Sequence, residues 1–148
     1  MELKETLIDS ATEIFFDFGM QLIYLGDSEQ TQFISANQVN ILTGMNGSIR
    51  GNILIGLNKA AVSGILFKMK NIENPDNAEY STESVMCKLS KLILQKAVEK
   101  EPELKALMFS PPTVIIGQQL FLMLSRYKST KLSFKIDNEI FSISYSLE

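Results

Sequence analysis

Apolar residues fall at Leu3, Leu7, Ile8, Ala11, Ile14, Phe15 and Phe18. Steps of three and four place them on one face of a helix, and Gly19 offers a stop. Over residues 31–57 the period changes. Ile34, Ala36, Val39, Ile41 and Leu42 read as strand with imperfect alternation. Asn46-Gly47 follows, then Ile49, Gly51, Ile53, Ile55 and Leu57 at every second position. Asn-Gly between two such runs predicts a hairpin whose two turn residues both take positive φ. The second strand should bury its odd positions and leave Arg50 and Asn52 in solvent. Leu54 breaks the polar side, so the far end should be covered on both faces.

Asn58 is a good N-cap for a helix carrying Ala61, Val62, Ile65, Leu66 and Met69. Gly64 inside it costs about 1 kcal/mol against Ala. Close packing against the hairpin is the expected reason for its presence. Residues 71–80 are polar and hold a proline, so they predict a loop, with Glu73, Asp76 and Glu79 as a solvated acidic cluster. A long helix is predicted from about residues 76–81 to about Lys100. Its apolar face is Val85, Met86, Leu89, Leu92, Ile93 and Ala97. Glu101-Pro102 ends it, because the residue before proline disfavours the α region. A short helical turn follows through Leu107.

The rest is extended: a rigid Ser110-Pro111-Pro112-Thr113 connection, Val114–Ile116, then runs at Leu120–Leu124, Leu132–Ile136 and Ile140–Leu147. Asp137-Asn138 suits a tight turn between the last two. These elements predict one domain over residues 1–148. It is a two-layer α+β fold with helices packed on one face of a mainly antiparallel sheet.

Composition narrows the chemistry. The chain has 148 residues, 45% of them apolar and 21% charged, with a net charge of −3. That balance gives no electrostatic reason to expect nucleic acid as a partner. Arg50 and Arg126 are the only arginines, which weakens a nucleotide-binding reading. No apolar run approaches the ~20 residues of a membrane span, and the N-terminus does not read as a signal peptide. Together with a single cysteine, these features point to the cytoplasm. There is no histidine. Histidine bases, Ser-His or Cys-His nucleophilic pairs and histidine zinc sites are therefore excluded. No metal or cofactor is expected. Cys87 reads as a small buried hydrophobe. Met69, Met86, Met108 and Met123 read as core fillers. The glycines at 44, 47 and 51 lie in a hairpin and have no following Lys-Ser/Thr, so they form no phosphate loop.

Three stretches, in order, resemble the CheX-type branch of the CheC/FliY/CheX chemotaxis phosphatases. They are Gly44-Met-Asn-Gly-Ser-Ile-Arg-Gly-Asn-Ile-Leu-Ile, Ser84-Val-Met-Cys-Lys-Leu-Ser-Lys-Leu-Ile, and Ser110-Pro-Pro-Thr-Val-Ile-Ile-Gly117. The resemblance spans roughly residues 35–125. It implies a CheC/CheX-like fold, a homodimer, and a response-regulator receiver domain as partner. That family hydrolyses the aspartyl phosphate of CheY-type regulators through a Glu-x-x-Asn pair on the long helix. Here the matching positions hold Lys88 and Lys91. In the first helix Glu13 is followed three residues later by Phe16, which carries no amide.

At 100° per residue, Lys88 and Lys91 lie about 60° apart, and Ser84 and Gln95 join them on one face. These four are the candidate partner-binding residues, and no catalytic residue is assigned. Three functions are compatible with the pattern. One is a degenerate, non-catalytic interaction module in two-component or chemotaxis-type signalling. Another is an active aspartyl-phosphate phosphatase using other residues. The third is a homo-oligomeric scaffold or small-ligand module outside chemotaxis.

Overall fold

A computed structural model of the chain describes residues 3–35, 37–70, 82–118 and 121–148. The expected first turn of the long helix and the Glu73, Asp76, Glu79 cluster lie outside the described residues. The order is α1 (Leu3–Asp17), β1 (Leu22–Gln30), β2 (Phe33–Ser35), β3 (Val39–Asn46), β4 (Gly51–Leu57), α2 (Lys59–Lys70) and α3 (Thr82–Lys100). A 3-10 turn at Pro102–Ala106 follows. Then come β5 (Met108–Phe109), β6 (Thr113–Ile116), β7 (Leu122–Ser125), β8 (Ser129–Ile136) and β9 (Glu139–Leu147).

The main sheet runs β1-β8-β9-β4-β3, with β5 and β6 both on the outer side of β3. All its pairings are antiparallel. Along β4 the period-2 pattern sends Ile53, Ile55 and Leu57 to the helix side. Their partners Tyr145, Ile143 and Phe141 on β9 share that side. Residues from α1, α2 and α3 join them in one buried cluster. Phe15 of α1 meets Phe141 edge-on at 5.1 Å, and Phe134 packs against Phe141 at 5.7 Å with the rings tilted by 60°. Such aromatic pairs contribute about 0.5–1.5 kcal/mol beyond the area they bury.

The second face of the sheet is covered at the far end of β4, as Leu54 foretold: Leu54 is buried there. A small sheet of β2 and β7 accompanies it, and Phe33 of β2 is buried too. Polar groups on this side are satisfied locally. Ser35 Oγ donates to Asn40 Oδ1 at 2.7 Å, and Asn40 Nδ2 donates to the Asn37 carbonyl at 2.8 Å.

Asn58 caps α2, its Oδ1 accepting from the Ala61 amide at 2.8 Å. Other expectations are corrected. β1 is a nine-residue strand where the apolar spacing announces none. More strands follow α3 than the three main runs suggested, because β5 and β6 are short segments on β3. The Asn46-Gly47 turn is not a two-residue turn. Asn46 stays in β3, where it pairs with Met108, and only Gly47 takes a positive φ, +144°. The tight turn with two positive φ values is Asp137-Asn138. Met108 and Met123 are exposed rather than core, because they sit on β5 and β7, away from the buried layer. Cys87 is only half-buried, at the margin of α3. Gly64 is not a close-packing site, since a Cβ there meets nothing within 4 Å. The close approaches are instead at Gly51, where a Cβ would fall 2.0 Å from the Ser146 carbonyl oxygen, and at Gly56, 2.1 Å from Asn37 Nδ2.

Two glycines thus carry opposite expectations. Gly64→Ala should raise stability by about 0.5–1 kcal/mol, because the helix gains propensity and nothing is displaced. Gly51→Ala should lower it, because backbone must move to admit the methyl group. Urea unfolding of both variants checks the signs. A destabilised Gly64→Ala would mean that α2 has an unseen neighbour at that position.

Candidate functional site

α3 sets the site by the stripe it buries. Val85, Met86, Leu89, Ile93 and Ala97 face the sheet and α1, and Ser90 and Leu94 widen the buried arc. Leu92, expected on that face, is half-buried. Ser84, Lys88, Lys91 and Gln95 are all exposed on the opposite side. The four candidate residues therefore do share one accessible face. Among the described residues neither Lys88 nor Lys91 makes an ion pair. No group of three or more His, Cys, Asp or Glu among the described residues is placed to hold a metal ion.

The segment Phe109–Pro112 runs beside this face. It is fixed to β3 by a reciprocal pair of hydrogen bonds at Gly44. The Ser110 amide donates to the Gly44 carbonyl at 2.9 Å, and the Gly44 amide donates to Ser110 Oγ at 2.8 Å. The Cys87 thiol lies 3.9 Å from the Pro112 carbonyl oxygen, at the junction with α3. Between α3 and this segment lies a groove of about 570 Å³. Lys91 and Gln95 line one wall, Phe109, Ser110, Pro111 and Pro112 the other, and Thr43 of β3 contributes to the floor. Ser84 and Lys88 lie on the same helix face but outside the groove.

The groove was missed in the sequence. Ser110-Pro111-Pro112 signalled a rigid connection, but no local pattern shows which helix a rigid segment will lie against. Thr43 gave no signal either. It alternates with core residues Ile41 and Met45 and reads as an ordinary strand threonine.

Glu13 on α1 is engaged elsewhere. Its carboxylate pairs with Lys100 and lies 3.8 Å from Lys96, tying α1 to the end of α3. The hydrogen bond from Lys100 holds the Glu13 carboxyl below its ordinary value of 4.5. The same bond raises Lys100 above 10.5. Phe16, one turn further along, is 77% exposed. Neither residue meets α3's lysine face.

No family model and no curated relative matches the chain. Solved structures do. The chain is similar to the chemotaxis protein CheX from Desulfovibrio desulfuricans, with a TM-score of 0.87, 17% identity and 100% of each chain covered. It is similar to CheX from Vibrio vulnificus, with a TM-score of 0.85, 16% identity and again 100% of each chain. A third match is CheX from Borrelia burgdorferi in complex with CheY, beryllium trifluoride and magnesium. There the TM-score is 0.73 and the identity 17%, over 97% of this chain and 96% of that one. The fold is therefore that of the CheX-type chemotaxis proteins.

The Glu13 contact has a measurable signature. Its depressed carboxyl contributes stability above pH 4.5 that is lost as pH falls through the folded value. Lys100 contributes below pH 10.5 and loses its contribution as pH rises through its raised value. Carbon-detected NMR titration should place the Glu13 midpoint below 4.5, and Lys100→Met should move it back up. An unchanged midpoint in the variant would show that the pair does not form in solution.

Proposed function

We propose that this chain is an interaction module of chemotaxis-type signalling. In this reading it docks a CheY-type receiver domain through the exposed face of α3 and does not hydrolyse the receiver's aspartyl phosphate. The carrying observation is the pair of exposed lysines, Lys88 and Lys91, that make no ion pair among the described residues. They stand where the resembled phosphatases carry Glu and Asn. A receiver partner is supported by the CheX of the same fold from Borrelia burgdorferi, whose complex contains CheY.

The chemistry follows from what lysine lacks. A charged ammonium has three donors and no acceptor. It can neutralise a phosphoryl oxygen, but it can neither take a proton from water nor orient water through a carbonyl oxygen. Phosphoryl transfer depends on positioning and electrostatics, so a lysine at 91 removes the water-orienting amide, and a lysine at 88 reverses the charge with which the site grips its partner. The acidic pocket of a receiver domain suits two cations. An exposed Lys-carboxylate pair contributes only ~0–1 kcal/mol, so the lysines act mainly on association rate and partner choice. A regulator adapted to a carboxylate at position 88 is disfavoured, because its complementary cation meets Lys88.

The same reading includes a homodimer. β1 has one neighbour, β8, among the described residues, and its outer edge is open. Ile23 and Leu25 are exposed on it. Open edges tend to be paired or blunted. Light scattering should report twice the chain mass at high micromolar concentration, and a monomer there would remove this part of the proposal.

The decay of a phosphorylated receiver domain, with and without this protein, tests the loss of hydrolysis. No acceleration is expected. Acceleration of tenfold or more, about 1.4 kcal/mol of barrier, would overturn it. Lys88→Glu with Lys91→Asn should gain activity if the scaffold is otherwise intact.

Docking is tested separately. Receiver affinity should fall as the Debye length shrinks from ~10 Å at 0.1 M salt to ~3 Å at 1 M. It should also fall in Lys88→Ala/Lys91→Ala. Indifference to both changes would leave the lysines as a plain solvated helix face.

A further inference from the structure

The groove beside α3 has features that receiver docking does not use. Leu94, Val98, Phe109, Pro111 and Pro112 give it apolar walls. Its volume of about 570 Å³ lies within the range of small-molecule sites. On its floor Thr43 is 1% exposed, and its hydroxyl has no hydrogen-bond partner among the described residues. Buried polar side chains are nearly always paired, so an orphaned hydroxyl calls for a cause. Leaving one unpaired costs about 1–3 kcal/mol. Here the residue that carries it lines an open concavity.

The charges along the groove are unequal. Lys91 and Glu99 stand at i and i+8 on α3, about 12 Å apart. Glu99 is already held by Lys96 at 3.6 Å. Lys91 has no ion pair among the described residues. One end of an apolar groove thus offers an uncompensated cation, with the Gln95 amide one turn away.

We propose that the groove between α3 and Phe109–Pro112 binds a small amphipathic carboxylate. Its apolar body lies on Leu94, Val98, Phe109 and the two prolines. Its carboxylate meets the Lys91 ammonium. The same polar head supplies a partner for the Thr43 hydroxyl. A χ1 rotation of about 120° carries that residue's hydroxyl into the staggered well its methyl held, which lets the hydroxyl turn to the occupied space. This site does not depend on a receiver partner. Lys91 belongs to both surfaces, so an occupied groove would compete with docking.

The probe is 3-phenylpropanoate, with 3-phenylpropanol as the uncharged control, each titrated into the full chain by two-dimensional amide NMR. The carboxylate should saturate, with shifts centred on the amides of residues 94–98, 109, 110, 113 and 43. It should bind about fivefold or more tighter than the alcohol. Lys91→Met should remove that difference and leave alcohol binding unchanged. Thr43→Val should weaken both probes while keeping or raising the melting temperature, because the orphaned hydroxyl is gone. Equal affinity for acid and alcohol would overturn the proposal. So would shifts centred away from the groove, or unchanged binding in Thr43→Val. Receiver binding measured without either probe reports on docking alone, so the two readings fail separately.

Discussion

Phe15 packs edge-on against Phe141, and Phe141 against Phe134. Around these rings the aliphatic stripes of three helices press onto Ile41, Ile53, Ile55 and Leu57. This layer fixes the rotation of α3. A helix that buries Val85, Met86, Leu89, Ile93 and Ala97 has no freedom to turn Lys88 or Lys91 inward. Large-to-small changes in such a layer typically cost 2–5 kcal/mol, whereas changes on the solvated face cost little. Evolution can therefore rewrite the exposed arc of α3 while the buried arc stays constrained. Which residues stand at 88 and 91 is something the core does not register.

The same asymmetry explains how 16–17% identity accompanies TM-scores of 0.85–0.87. Apolar residues of similar volume substitute for one another in cores at modest cost when the pattern is kept. What must persist is period, turn chemistry and a few steric necessities. Gly51 and Gly56 are of that kind, because backbone and Asn37 occupy the space a side chain would need. Sequence likeness decays where packing is tolerant, and the architecture does not.

What was legible in the sequence follows from these constraints. α1, α2 and α3 were readable because each buries one stripe at helical spacing. β4, β8 and β9 were readable because they alternate. β1 was not. Its burial pattern has one buried residue at the start and exposure almost throughout, so there is no apolar rhythm to read. A register shift after Tyr24, beside Gly26 at φ +144°, breaks what alternation remains. β5 is two residues long and exists only because Asn46 and Met45 offer it an edge. That pairing also explains the misread turn: Asn46 is held by β5 and cannot take up a turn position. Gly64 was given a packing role because glycine in a helix interior usually has a reason, and the structure supplies none. Lys88 and Lys91 were picked out by the family resemblance, and 100° geometry put Ser84 and Gln95 on the same exposed face. The groove followed from neither, because it is made by two segments that sequence spacing cannot bring together.

Fold and chemistry are set by different residues at this site. A CheX-type architecture places one helix face beside a proline-stiffened segment, and that placement is set by Ser110 gripping Gly44 at both its amide and its carbonyl. The scaffold decides where a functional group stands. The residues at 88 and 91 decide what happens there. With a carboxylate and an amide, such a face can hold a partner and direct water. With two ammonium groups it can attract and retain anionic surfaces, but every polar atom those side chains present is a donor. Water bound between donors alone is presented through its lone pairs to the protein, so those lone pairs are unavailable for attack on phosphorus. In the reading proposed above, that geometry is what would separate a reader of an acidic pocket from a hydrolase acting on it.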